Sequence, residues 1–220
     1  SYQSGPALHA YRVSVAVAKA ASRAWRNAPC LYRPTAADCE RVRLVWKSIE
    51  SPGRLAACIE ALPEARAIHL MRHPCGHVAS VLRGEAARRF GDLVPSGEEL
   101  WLLKMLLATS VGKTHNLTMD ELKGLTPEER LTWRWVLTQE QILADVEHNP
   151  RVFTVRYEDV CAEPVAMTRR MFEFADLDWR PQTEEFIHAS TEATDADYYS
   201  VFKQPQASAE RWRSELTPQV

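Results

Sequence analysis

No run of apolar residues in this chain approaches the roughly 18 to 20 needed to cross a bilayer, so no membrane segment is expected. No Cys-x-x-Cys pair occurs. The five cysteines (Cys30, Cys39, Cys58, Cys75 and Cys161) are odd in number and scattered, which argues against a disulfide framework or a zinc ribbon. Reduced thiols in a cytoplasmic protein are the simpler expectation. Charge of one sign is also lacking: the net charge of −2 gives no global basic field to draw in nucleic acid. The arginine pairs Arg88-Arg89 and Arg169-Arg170 read as solvated helix faces. No secretory signal, internal repeat or low-complexity tract is visible. The chain opens on Ser1 without an initiator methionine, so the native amino terminus is expected further upstream.

What is present is ordinary for a globular protein. A chain of 220 residues, 45% hydrophobic and 25% charged, suits a single domain over residues 1–220 with one sizeable core. Residues 7–27, rich in alanine, read as a helix ended by Pro29 and Pro34. The apolar run Val42 to Trp46 reads as a strand, and Pro52 opens a helix that runs to Leu62. A second strand is expected to end at Arg72, with a helix from Pro74 to Phe90. This βαβα alternation predicts a parallel sheet flanked by helices, a three-layer α/β/α fold.

Further on, residues 91–97 read as a loop and 98–111 as a buried helix. Residues 112–125 read as a polar connector. Thr126, Pro127 and Glu129 form a capping-box signature for a helix that Pro150 stops. Arg151 to Tyr157 reads as a third strand, Pro164 begins a helix ending near Asp176, and the tail from Thr191 reads as irregular.

The pattern that points most clearly to a ligand is Arg72 with Ser80. A buried strand delivers an arginine to its carboxyl end, and a helix opened by Pro74 carries a serine on its second turn. Ligands of open parallel sheets bind just beyond the carboxyl ends of the strands, where a guanidinium and a hydroxyl suit a phosphate.

These residues resemble a known family. Arg72, Pro74 and Ser80 are similar to the 3′-phosphate motif of sulfotransferases that use 3′-phosphoadenosine 5′-phosphosulfate (PAPS). Leu44 to Ser48 resembles the family's strand ending in a lysine near the transferred sulfonate. Val155 to Pro164 resembles its tyrosine-bearing strand and helix, and Phe172 to Trp179 the end of that helix. Tyr199 to Lys203 and Arg211 to Leu216 resemble its carboxy-terminal cofactor loop and the segment after it. The match runs in order over roughly residues 42–218. It is nearer the bacterial and tyrosylprotein branch than the cytosolic steroid and phenol branch.

The resemblance implies a nucleotide-kinase-like fold related to P-loop proteins. It also implies sulfonate transfer from PAPS to a hydroxyl or amine acceptor, leaving 3′,5′-adenosine bisphosphate. It assigns Arg72 and Ser80 to the 3′-phosphate with Lys203 assisting and Ser200 nearby, Tyr157 to the adenine, and Lys47 to the sulfonate as the catalytic cation. The residues keep bland alternatives open: Lys47 as a solvated lysine, Tyr157 as strand-end packing, Lys203 as a tail lysine. Glu50 reads as a base for the acceptor or as a helix-start glutamate. One family element has no counterpart, the amino-terminal glycine- and threonine-containing loop that cradles the 5′-phosphosulfate, so a truncated form of the fold is expected.

Two decoys stand apart. Val111 to Thr114 looks like the end of a Walker A loop, but Leu107 holds the first glycine position and the flanks read as helix. His73, Cys75 and His77 are metal-ligating types without a fourth partner, and no metal is expected. Trp25, Trp101, Trp133 and Trp135 read as core or acceptor-pocket walls. The acceptor (small molecule, carbohydrate or peptide) has no motif in residues 85–125 or in the tail. The alternatives are a nucleotide kinase or NTPase on a related fold, and a non-catalytic relative that binds a nucleotide or a partner.

Overall fold

The computed structural model describes residues 43–49, 52–90, 94–192, 198 and 200–216. The expected helix over 7–27, Pro29, Pro34, Cys30, Cys39, Trp25, Val42, Glu50 and Tyr199 lie outside the described residues. The chain divides into two units, Ser1–Lys47 and Ser48–Val220. In the first, residues 43–47 are exposed and carry no strand pairing, Leu44 at 80% and Val45 at 75% exposure. The strand expected there is therefore not found. An apolar run becomes a strand only when a neighbouring backbone takes up its N–H and C=O groups, and composition cannot supply that neighbour.

In the second unit a 3-10 turn, Pro52–Arg54, leads into helix α1 (Leu55–Ala61). Strand β1 (Ala67–Met71) follows, then helix α2 (Pro74–Ala86). A 3-10 turn at Ser96–Glu98 precedes α3 (Leu100–Leu107), α4 (Ser110–Thr114) and α5 (Met119–Gly124). The long α6 (Pro127–Asp145) then returns to β2 (Val152–Arg156). The chain finishes with α7 (Tyr157–Ala162), α8 (Pro164–Phe174), α9 (Pro181–Glu192), α10 (Pro205–Glu210) and α11 (Trp212–Glu215).

β1 and β2 pair in parallel, Ala67 opposite Val152 through Met71 opposite Arg156. The parallel α/β class is thus observed, with the whole α2–α6 region forming the crossover. The expected third strand is one residue shorter at each end, because Tyr157 already belongs to α7. Two loop readings and one helix reading are also corrected. Residues 112–125 are not a plain connector but the end of α4 and all of α5, the latter closed by a capping box between Thr118 and Glu121. The helix expected over 98–111 is broken at Ala108 and Thr109, where the Thr109 hydroxyl caps α4. The tail is largely helical, because α10 and α11 gain tertiary partners in α7 and α2 that no local pattern announces.

The core is built around α6. Leu131, Leu137 and Ile142 on that helix, Leu122 on α5, Val78 on α2 and Val155 on β2 are almost wholly buried. Thr126 and Glu129 close the expected capping box at its start. His69 of β1 is buried on the sheet, and its Nε2 meets the Gln139 Oε1 of α6 at 2.9 Å, tying strand to helix. Burial lowers the pKa of His69 and so keeps the ring neutral.

Arg130 is the buried cation of this core, only 7% exposed. Its Nε donates to the Gly97 carbonyl at 2.6 Å and its Nη1 to the Leu125 carbonyl at 2.6 Å. Its Nη2 pairs with Glu98 at 2.8 Å. One side chain thereby gathers the 3-10 turn, the α5–α6 turn and α6. Arg130→Met is expected to destabilise the fold by about 2–4 kcal/mol, since it strands buried carbonyls and leaves Glu98 unpaired. Denaturant midpoints read this directly; a loss below about 1 kcal/mol would refute the role.

His77 on α2 is held neutral, its pKa lowered from 6.5 to about 4 by burial and then by the nearby Arg134 and Arg72 charges. The unfolded chain therefore takes up this proton first. Stability from His77 is complete above about pH 6.5, is lost progressively as pH falls toward 4, and changes no further below that, about 3 kcal/mol in all. His77→Gln should visibly flatten the stability–pH slope between those limits. An unchanged slope would assign the effect to other groups.

Candidate functional site

The parallel register ends β1 and β2 at the same level, so the next residue of each strand, Arg72 and Tyr157, emerges side by side. The Arg72 guanidinium lies 4.8 Å above the centre of the Tyr157 ring. Its Nη2 donates to the Ser208 carbonyl of α10 at 2.9 Å, while its Nε is buried beside Gly76 without a hydrogen-bond partner. Among the described residues no carboxylate pairs with Arg72. A half-buried guanidinium with one acceptor and an orphaned Nε is an unmet demand for negative charge.

The turn that carries Arg72 is fixed from three sides. The His73 Nδ1 accepts from the Cys75 N–H at 3.2 Å and so caps α2, whose first residue is Pro74. The His73 backbone N–H donates to Glu158 of α7 at 3.0 Å. The His73 ring stacks on Trp212 of α11, with centroids 4.8 Å apart and planes within 6°.

Tyr157 is the first residue of α7 and interacts through its hydroxyl with the Cys161 thiol one turn on. Burial, and then Cys161, push the tyrosine up to about 12, so it remains a neutral phenol. Burial likewise raises Cys161 and keeps its thiol protonated.

Ser80 lies on α2 as expected, and its carbonyl accepts from the Tyr198 hydroxyl at 3.0 Å. Gly84, one turn further, makes this approach possible: a Cβ there would meet the Phe90 ring at 2.4 Å and the Tyr198 hydroxyl at 2.6 Å. The Lys203 Nζ donates to the Tyr198 carbonyl at 2.9 Å. Arg83 of α2 and Glu215 of α11 form an ion pair that closes the tail over the helix. The Ser200 hydroxyl is occupied locally, accepting from the Phe202 N–H at 3.1 Å. The structure thus links Lys203 to Ser80 only through Tyr198, on the helix α2 that follows Arg72. Lys47 belongs to the first unit, exposed on a segment without strand pairing.

Sequence reasoning overlooked His73, Glu158, Ser208 and Trp212 as members of this cluster. Histidine directly before a proline at a helix start is a readable capping signal for His73. The Ser208 contact is made through a carbonyl, which any residue carries, and so leaves no signal. The Walker-like Val111 to Thr114 is helical, and its glycine answers to packing: a Cβ on Gly112 would meet the Leu106 carbonyl oxygen at 2.1 Å. Among the described residues no group of three or more metal-ligating side chains is found, and no helix is long and apolar enough to cross a membrane.

No protein-family model matches the chain. Carbohydrate sulfotransferase 3 of Mus musculus is 40% identical over 65 residues, which is 29% of this chain and 14% of that protein. The same enzyme of Rattus norvegicus is 28% identical over 152 residues, 68% of this chain and 29% of the relative. The chain therefore spans less than a third of the curated relatives it matches. Among solved structures, a sulfotransferase domain from the curacin biosynthetic pathway aligns over 76% of this chain and 53% of that one, with 16% identity and a TM-score of 0.43. By sequence, the chain is similar to carbohydrate sulfotransferases over part of its length.

Proposed function

We propose that the protein binds the 3′-phosphate of a PAPS-type donor at Arg72 and serves transfer of the donor's sulfonate to a hydroxyl or amine acceptor. The observation that carries this reading is the Arg72 guanidinium: half-buried, without a carboxylate among the described residues, and with an orphaned Nε at the start of α2. Such a cation beside a helix amino terminus favours a dianion over a carboxylate side chain. The choice of nucleotide follows from the resemblance of the Arg72 to Ser80 segment to the 3′-phosphate motif of PAPS-dependent sulfotransferases.

In this reading Arg72 supplies the fixed charge and Ser80 a hydroxyl from the following turns of α2. Lys203 adds a point charge from the tail once released from the Tyr198 carbonyl. The donor, when bound, supplies an activated sulfonate whose in-line displacement needs cations near the developing charge. Lys47 is the proposed source of such a cation. The named relatives favour a carbohydrate acceptor.

The test is calorimetry with 3′,5′-adenosine bisphosphate. Arg72→Ala is expected to weaken binding by about 1.5–3 kcal/mol, the range of a charge-assisted contact. Equal affinity of variant and wild type would sink the assignment. A sulfonate-transfer assay on a carbohydrate acceptor, run on this chain beside a version carrying its native flanking sequence, then separates a donor-binding segment from a complete catalyst.

A further inference from the structure

We infer that Tyr157 is a positioning residue for Arg72, acting through the face of its ring. The inference rests on the phosphate reading of Arg72 and goes beyond it by assigning how that arginine is held.

Three observations carry it. One face of the Tyr157 ring is covered by the Arg72 guanidinium at 4.8 Å, so that face is closed to a base. The ring is more than half buried and has Cys161 near its hydroxyl, one turn on along α7. The residue also stands at the first position of α7, not at the end of β2, so the helix sets its direction. On the other side of Arg72, only the Ser208 carbonyl accepts from the guanidinium among the described residues. A single acceptor leaves the plane of a guanidinium free to swing about that bond. A half-buried aromatic face beneath it removes this freedom, and a cation over a partly desolvated ring gains about 0.5–2 kcal/mol. The donors are thereby held ready before an anion arrives, and the ordering need not be supplied at binding.

This arrangement makes a prediction that adenine contact does not. A residue acting through Arg72 affects only ligands that carry the 3′-phosphate. A residue touching adenine affects every adenine nucleotide alike. The readout is the ratio of dissociation constants for adenosine 5′-monophosphate and 3′,5′-adenosine bisphosphate, measured by calorimetry on wild type, Tyr157→Phe and Tyr157→Leu.

Tyr157→Phe keeps the ring and should hold the ratio within about twofold. Tyr157→Leu removes the ring and should lower the ratio about tenfold, the loss falling chiefly on the bisphosphate. Combined with Arg72→Ala, it should cause no further loss. Equal weakening of both nucleotides by either variant would overturn the inference and return Tyr157 to the adenine. A wild-type ratio near one would overturn the phosphate reading itself, and this inference with it.

A ligand-free measurement guards against a variant that folds poorly. The Arg72 Nε–H resonance should be shifted upfield by the ring current in wild type and in Tyr157→Phe. An unshifted wild-type resonance would show that the guanidinium does not rest on the ring, and the inference would fail without any nucleotide being added.

Discussion

The parallel pairing of β1 with β2 is the constraint on which the site depends. Five residue pairs run in register, and both strands end on the same rung, Met71 opposite Arg156. Whatever follows each strand must then emerge at neighbouring points on one edge of the sheet. Here that is an arginine and a tyrosine, eighty-five residues apart in the chain, the guanidinium lying over the face of the ring. A slip of one residue would turn Tyr157 to the other face and leave the guanidinium without its platform. The register is held in turn by His69, whose bond to Gln139 fastens the middle of β1 to the longest helix.

A second consequence concerns the tail. Residues 198–216 reach α2 and α7 through unlike contacts: the Tyr198 hydroxyl on the Ser80 carbonyl, His73 stacked on Trp212, Arg83 with Glu215, and Arg72 on the Ser208 carbonyl. All four land on or beside α2. The helix that begins beside Arg72 is therefore also the surface on which the tail folds. The acceptor Arg72 uses in the tail is neutral, so an incoming anion outcompetes it for the guanidinium on charge alone. The other three contacts can persist while that one is exchanged.

Much of this was legible beforehand, and the reasons are local. Proline at the first helical position, with a capping residue before it, marks a helix start through its missing N–H and fixed φ, and both Pro74 and Pro127 behave so. Arg72 just after β1 is legible because a charge ends an apolar run, although the strand expected to be buried has only His69 buried, with Ile68 and Leu70 exposed. The failures share one cause. Leu44 to Trp46 has the composition of a strand and no described partner strand. The tail lacks apolar periodicity yet forms α10 and α11, because α7 and α2 give those short helices surfaces to rest on. Two short helices in 110–124 were hidden because they are stabilised by caps at Thr109 and Thr118 and not by an amphipathic stripe.

By itself, the sequence determined the chemistry on offer: an arginine and a serine eight residues apart across a strand–helix turn, a tyrosine after a second strand, and a partial likeness to sulfotransferases. Only the tertiary structure decided how that chemistry is arranged. It put Tyr157 beneath Arg72, gave the guanidinium a single carbonyl from the tail, and left its Nε without a partner. The reason is physical. Residue types and spacings along one segment set which groups a turn can present, whereas the partner of a charge is chosen by strand register and helix packing between segments distant in the chain.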